Sequence, residues 1–184
     1  GEIGCHAHHL IRFVSGLEVE AVSAEAGAVV PGRMIDDFAG ALLHFDNGAR
    51  GVFWVTQAAA GVENCLRIRV SGTKGSLEWM QEHPQVLAFK PLDAPAQNLT
   101  PNGPGTLPLA KQASRIVAGH PEGFHAAFAN IYSDAAEAIA ARRSGLEEVQ
   151  KPRIFPDSLD GLMGLKFIDS VIRSSESDGK WVRC

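Results

Sequence analysis

Phe38-Ala-Gly-Ala-Leu-Leu-His-Phe-Asp46, then Asn47-Gly48, then Ala49-Arg-Gly-Val-Phe-Trp-Val-Thr-Gln57 is the stretch that decides the fold of this chain. Two apolar runs flank an Asn-Gly pair, which tolerates the positive backbone angles of a type I′ turn, so the stretch reads as a β-hairpin. Upstream, Leu17, Val19, Ala21 and Ser23 alternate against Glu18, Glu20, Val22 and Ala24, which predicts a strand within 17–30. Downstream, Leu66-Arg-Ile-Arg-Val-Ser71 alternates strictly, placing Arg67 and Arg69 on one face and Leu66, Ile68 and Val70 on the other. Thr73-Lys74-Gly75 turns the chain into a strand over 76–80, and 86–90 supply another. Hairpin follows hairpin, so the sheet is expected to be mainly antiparallel.

Helical signals bracket these strands. Ile3, Leu10, Phe13 and Val14 suggest a short helix over 2–15, stopped by Gly16 as a C-terminal helix glycine would stop it. Residues 91–119, rich in Pro, Gly, Asn and Ala, read as a long loop. Pro121 then suits a first helical turn, and Phe124, Phe128, Ile131, Ala135 and Ile139 recur at helical spacing until Gly145. A last helix starts near Ser158, with Asp157 as its cap and Leu162, Leu165, Ile168 and Ile172 as its apolar stripe, and the tail 180–183 returns as a short edge strand. The order helix, sheet, two helices predicts an α+β domain: an open, mainly antiparallel sheet with helices on one face. Its other face is expected to be free for oligomerisation, since Phe53, Trp54, Val55 and Trp79 offer more apolar surface than two helices need to cover.

A chain of 184 residues, 45% hydrophobic and 21% charged, suits one ordinary globular core with room for an appended lobe. No run of about 18 apolar residues suggests a membrane span, and the N-terminus lacks the pattern of a secretory signal, so a soluble cytoplasmic protein is expected. A net charge of -4 with scattered basic residues argues against nucleic acid as a partner. Cys5, Cys65 and Cys184 are too few and too widely spaced for a disulfide framework or a zinc ribbon, and read as reduced thiols.

Chemistry concentrates at the start, Glu2-Ile-Gly-Cys-His6-Ala-His8-His9. On a helix Glu2 and His6 are one turn apart, so the carboxylate either orients the imidazole for proton transfer at a substrate hydroxyl or makes an ordinary surface or capping contact. Glu2, His6 and His9 also form a conceivable metal-ligand set, but no second carboxylate or histidine cluster pairs with them, and no metal is expected. His120 and Glu122, at a loop-to-helix junction, either meet a ligand or cap the helix. Gln57 and Asn64 flank Ala58-Ala-Ala-Gly61, where they line a substrate cleft or satisfy a turn. Trp54 and Trp79 read as sheet packing, and Arg67 with Arg69 as a solvated or intersubunit face.

The opening Gly1-Glu2-Ile3-Gly4-Cys5-His6, followed by an apolar helix and Ser15-Gly-Leu-Glu-Val19, resembles the Asp-Ile-Gly-x-His segment that opens the C-terminal domain of the glucose-fructose oxidoreductase, inositol dehydrogenase and rhizopine-catabolism (Gfo/Idh/MocA) family. The similarity continues through Asp36-Asp37, Phe45 to Arg50, Arg69 to Glu78, Gly119-His-Pro-Glu-Gly-Phe124, the last helix and Trp181. Position 2 departs from it, with Glu where the family usually has Asp. The resemblance implies hydride transfer between a sugar or polyol carbon and NAD or NADP. It gives His6 the proton-handling role, with the acid matching Glu2 contacting it or the substrate; these two are the expected catalytic residues, and His9, Gln57, Asn64, His120 and Glu122 are the candidate substrate contacts. It also implies an N-terminal Rossmann domain that binds the cofactor and supplies a lysine, usually in Glu-Lys-Pro. No Gly-x-Gly-x-x-Gly following a strand and no Glu-Lys-Pro occur here. Residues 1–184 are therefore expected to be a substrate-binding and oligomerisation domain, homo-oligomeric, without tightly bound nucleotide and inactive alone. A non-catalytic sugar-binding or oligomerisation module of the same fold is the alternative.

Overall fold

The computed structural model describes residues 1–145 and 154–184. They divide into two compact units, Gly1–Glu63 with Asp157–Cys184, and Asn64–Pro156. Every recorded strand pairing is antiparallel and the sheets are open, so the class is α+β. The strands are shared between two four-stranded sheets, one in each unit.

The first unit comprises α1 (Glu2–Ser15), β1 (Val19–Gly27), β2 (Phe38–Phe45), β3 (Arg50–Thr56), a late helix (Ser158–Glu176) and a late strand (Val182–Arg183). Its sheet runs β3, β2, β1, late strand. The predicted 38–57 hairpin forms, but its turn is not type I′. Gly48 alone has a positive φ, 87°, its N–H donates to the Phe45 carbonyl, and Phe45 N–H donates to Ala49. These features define a three-residue loop closed by a left-handed glycine. Asn47 serves instead through its side chain, accepting from Ala49 N–H at 2.9 Å. Opposite the turn, a Cβ on Gly51 would come within 3.0 Å of the Phe45 ring, so the glycine makes room for that ring in the core.

Beside the hairpin, β1 carries a bulge: Val19 pairs with Phe45 but Ala21 with His44. The extra residue swaps faces along the strand, so Val19 points inward, and so do Val22 and Ala24. The simple alternation over 17–24 is therefore broken at Glu20. The core joins these three to Ala41, Leu43, Phe45, Phe53 and two residues of the late helix, Phe167 and Val171.

That helix is capped as expected. Asp157 accepts from Leu159 and Asp160 N–H groups, and the Asp160 carboxylate reciprocates to Asp157 N–H. Its buried face is not the predicted stripe: Leu162 and Leu165 are exposed, while Gly164, Phe167, Ser170, Val171 and Ser174 are buried. The serines explain the rotation. The late strand pairs with β1 only at Ala21 and Val22. Beyond it, Ser174 Oγ accepts from Ala24 N–H at 2.8 Å and donates to the Lys180 carbonyl, and Ser175 Oγ accepts from Ala26 N–H at 3.0 Å. The helix thus completes an open strand edge. In α1 the buried residues are Gly4 and His8, while Phe13 and Val14 are exposed; Gly16 ends the helix at φ 67°.

In the second unit β4 (Arg67–Gly72), β5 (Gly75–Met80), β6 (Leu87–Pro91) and β7 (Gln97–Leu99) form a meander in chain order, followed by α2 (Pro108–Ala113) and α3 (Phe124–Arg143); the late helix and strand of the first unit are α4 and β8. Arg67 and Arg69 are exposed and Ile68 and Val70 half-buried, matching the predicted faces of β4. A Cβ on Gly75 would sit 2.5 Å from the Lys90 carbonyl oxygen, at φ 152°, so only glycine fits where β6 crosses the turn. The 91–119 loop contains β7 and α2. α3 starts at Phe124, three residues later than Pro121 suggested, with Gly123 as its N-cap.

Candidate substrate cleft

α1 separates two sets of side chains. Gly4 and His8 face the core, while Glu2, His6, His9 and Phe13, spaced by four, three and four residues, fall on the opposite side. Glu2 and His6 are both exposed on this stripe. His9 sits with its Nε2 3.9 Å from Asp160 and its ring 6.3 Å from Phe13.

Arg12 fixes the helix that carries them. Its guanidinium donates to both carboxylate oxygens of Glu18, at 2.8 and 2.6 Å, and to Asp160 at 2.6 Å. The hydrogen bond from Arg12 holds Glu18 below the usual carboxylate range, and the Asp157 amide, followed by Arg12, does the same for Asp160. α1 is thereby tied to α4 and to the entrance of β1. His8, only 2% exposed, stacks on Phe167 at 4.4 Å with its Nδ1 lacking a hydrogen-bond partner. Burial, then the Arg12 charge, pushes its pKa down to about 4, so its ring is neutral at neutral pH.

Between α1, the loop before β2 and the edge of α4 lies a cleft of about 480 Å³ within the first unit. Phe38, Phe53, Phe167 and Ile168 supply apolar wall, and Glu2, Asp36, Asp37 and Gln57 supply the polar lining. The loop is built by Asp37. Its buried carboxylate accepts from Val29 N–H at 2.8 Å and Val30 N–H at 3.1 Å and faces Arg33 at 3.5 Å. Those bonds, the Val29 amide foremost, hold it below its ordinary pKa. The Asp37 carbonyl also accepts from Gln57 N–H at 2.7 Å and from the Thr56 hydroxyl, so one residue positions both the loop and Gln57.

The expected site residues thus separate. Glu2 and Gln57 line one cleft, with His6 one helical turn from Glu2 but outside the lining, and His9 faces Asp160. Asn64, His120 and Glu122 belong to the second unit. There Asn64 donates to Gln81, and Glu122 acts on the backbone, its carboxylate accepting from Arg115 and Ile116 N–H groups at 2.5 and 3.1 Å. His120 is exposed just after Gly119, in the loop that Glu122 pins. The loop carboxylates Asp36 and Asp37 and the buried His8 were missed as site elements. Asp36-Asp37, between a Pro-Gly turn and the first strand of the hairpin, was the available signal for the loop.

Among the described residues no group of three or more His, Cys, Asp or Glu side chains could hold a metal ion, and no helix is long and apolar enough to cross a membrane. The described sheets contain no parallel β-α-β crossover, so the crevice in which a Rossmann fold seats a dinucleotide has no counterpart among them, and these residues do not fit that role.

The described residues thus form an open antiparallel α+β fold with a polar-rimmed cleft. This chain matches, over residues 1–78, the family model described as GFO/IDH/MocA C-terminal domain. It is 29% identical over 184 residues to the uncharacterized oxidoreductase YfiI of Bacillus subtilis (strain 168), covering 99% of this chain and 47% of that protein. The crystal structure of an oxidoreductase from Sinorhizobium meliloti matches with 46% identity and a TM-score of 0.92, over 99% of this chain and 51% of that one. An inositol dehydrogenase homolog from Azotobacter vinelandii, complexed with NADH and myo-inositol, matches with 31% identity and a TM-score of 0.92, over all of this chain and 49% of its own. The chain therefore spans about half the length of the relatives it matches.

Proposed function

We propose that this chain is the substrate-binding half of an NAD(P)-dependent oxidoreductase that acts at a hydroxyl or carbonyl carbon of a sugar or polyol. The observation that carries the reading is the α1 stripe: Glu2 on the rim of an apolar-walled cleft, with His6 one turn along the same exposed face. In this reading the substrate occupies the cleft mouth, Gln57 and Glu2 take its hydroxyls, and His6 exchanges the proton of the reacting hydroxyl. Proton transfer by a positioned imidazole is worth about 10² to 10⁴ in rate. Residues outside this chain would hold the nicotinamide, which would supply the hydride chemistry, and this domain's share is binding, orientation and the proton.

The test is reduction of NAD or NADP by the full-length polypeptide with a panel of neutral sugars and cyclic polyols. His6→Gln should lower kcat at least about 100-fold with KM changed far less. Saturable polyol binding without reduction of either cofactor would leave a non-catalytic sugar-binding module instead.

A further inference from the structure

We propose that the first-unit cleft selects its substrate by charge, and that Asp36 is the specificity-determining residue that turns away anionic sugars. The inference rests on the cleft being the substrate site and deepens that reading.

Among the described residues that line the cleft there is no Lys, Arg or His side chain. The cation of the neighbouring loop, Arg33, is turned toward Asp37 at 3.5 Å. Asp37 in turn is occupied by the Val29 and Val30 amides, which leaves it little capacity for a ligand. The side chains of Glu2, Asp36 and Gln57 make no hydrogen bond or ion pair with another described residue, so all three are open to a guest. Asp36 is nevertheless well placed, because its neighbour anchors the backbone through Asp37 N–H to the Gly27 carbonyl at 3.0 Å.

Two free carboxylates accept hydrogen bonds and cannot donate them. A neutral polyol presents hydroxyl donors to them and its C–H face to Phe38 and Ile168. A uronate or sugar phosphate brings acceptors and a like charge. At about 6 Å in a water-exposed mouth, one like-charge pair changes binding by roughly threefold, and the effect fades as salt screens it. A protonated amino sugar meets the opposite sign and is tolerated.

The experiment measures inhibition by glucose, glucosamine and glucuronate against the best neutral substrate of the full-length protein at low and high ionic strength. Glucuronate should bind at least about threefold more weakly than glucose at low salt. Asp36→Asn should narrow that ratio by about threefold, Asp36→Lys should narrow it further or reverse it, and Asp36→Glu should preserve it. Salt should shrink the differences. Turnover with a ratio that neither Asp36→Asn nor Asp36→Lys moves, or tighter binding of glucuronate than of glucose, overturns the inference alone. Absence of turnover with every neutral substrate overturns the functional reading, and this one with it.

Discussion

A neutral imidazole packed flat against Phe167 makes the first unit sensitive to mild acid. The ordinary histidine pKa of 6.5 applies to the unfolded chain, whereas folding lowers that of His8 to about 4. Between those values the unfolded state binds the extra proton, so stability is lost as pH falls through the window. From pH 7.5 to 5 the loss from this group is about 2 kcal/mol. The depressed carboxylates Glu18, Asp37 and Asp160 act in the same direction only below their unfolded pKa values, near 4, so this interval isolates the histidine. Urea unfolding of His8→Leu should show a flatter pH dependence across it, and an unchanged slope would refute the assignment. The histidine-rich start signalled chemistry, and helical spacing put Glu2 beside His6. Spacing alone did not show that His8 turns inward, because the apolar residues Ile3, Leu10, Phe13 and Val14 suggested a different buried face.

At the scale of elements, what joins α4 to β1 is a set of serines doing the work of a strand. β8 is too short to satisfy the whole free edge of β1, and Ser174 and Ser175 take over at Ala24 and Ala26. Ser174 is fully buried, so Ser174→Ala leaves the Ala24 N–H and the Lys180 carbonyl without their partner. The expected cost is about 1–3 kcal/mol. Ser175→Ala, at a half-buried site, should cost less. Chemical denaturation of the two variants checks the order, and equal, negligible losses would contradict the edge-capping role. Strand existence and the hairpin were legible because period-two alternation and an Asn-Gly turn are local signals. The α4 face was not, since a stripe drawn through Leu162 and Leu165 ignores polar residues that are buried because they bond to backbone. The β1 bulge was hidden for a related reason: an extra residue at Glu20 is visible only against the pairing partner, not along the strand.

Across the whole molecule, the α+β class and the one-sided helix layer of the first unit followed from element order, but the division into two units did not. The Pro- and Gly-rich segment 91–119 reads as a long loop within one core, and the chain changes unit elsewhere, at Asn64, returning at Asp157, where composition shifts little. One consequence of the single helix layer is testable. Cross-strand register sets Leu42 opposite Val52 and Gly40 opposite Trp54, on the side of the sheet facing away from Phe53 and Leu43. Val52 is 79% exposed and Trp54 60% exposed, and His44 on the same face stacks on Trp181 at 3.8 Å. A flat apolar strip of this kind costs free energy in water and gains it against a second apolar strip. A second copy of the chain, related by a two-fold axis, would set like residues against like on this face. Trp54→Asp adds a charge at an exposed position without touching the core, so the fold should persist by far-UV circular dichroism. Sedimentation of the full-length protein should then show the variant shifting to a smaller species at concentrations where the parent stays associated, together with weaker association on the introduction of Val52→Lys. A parent that sediments as a monomer, or an associated state indifferent to both substitutions, removes this face from the assembly.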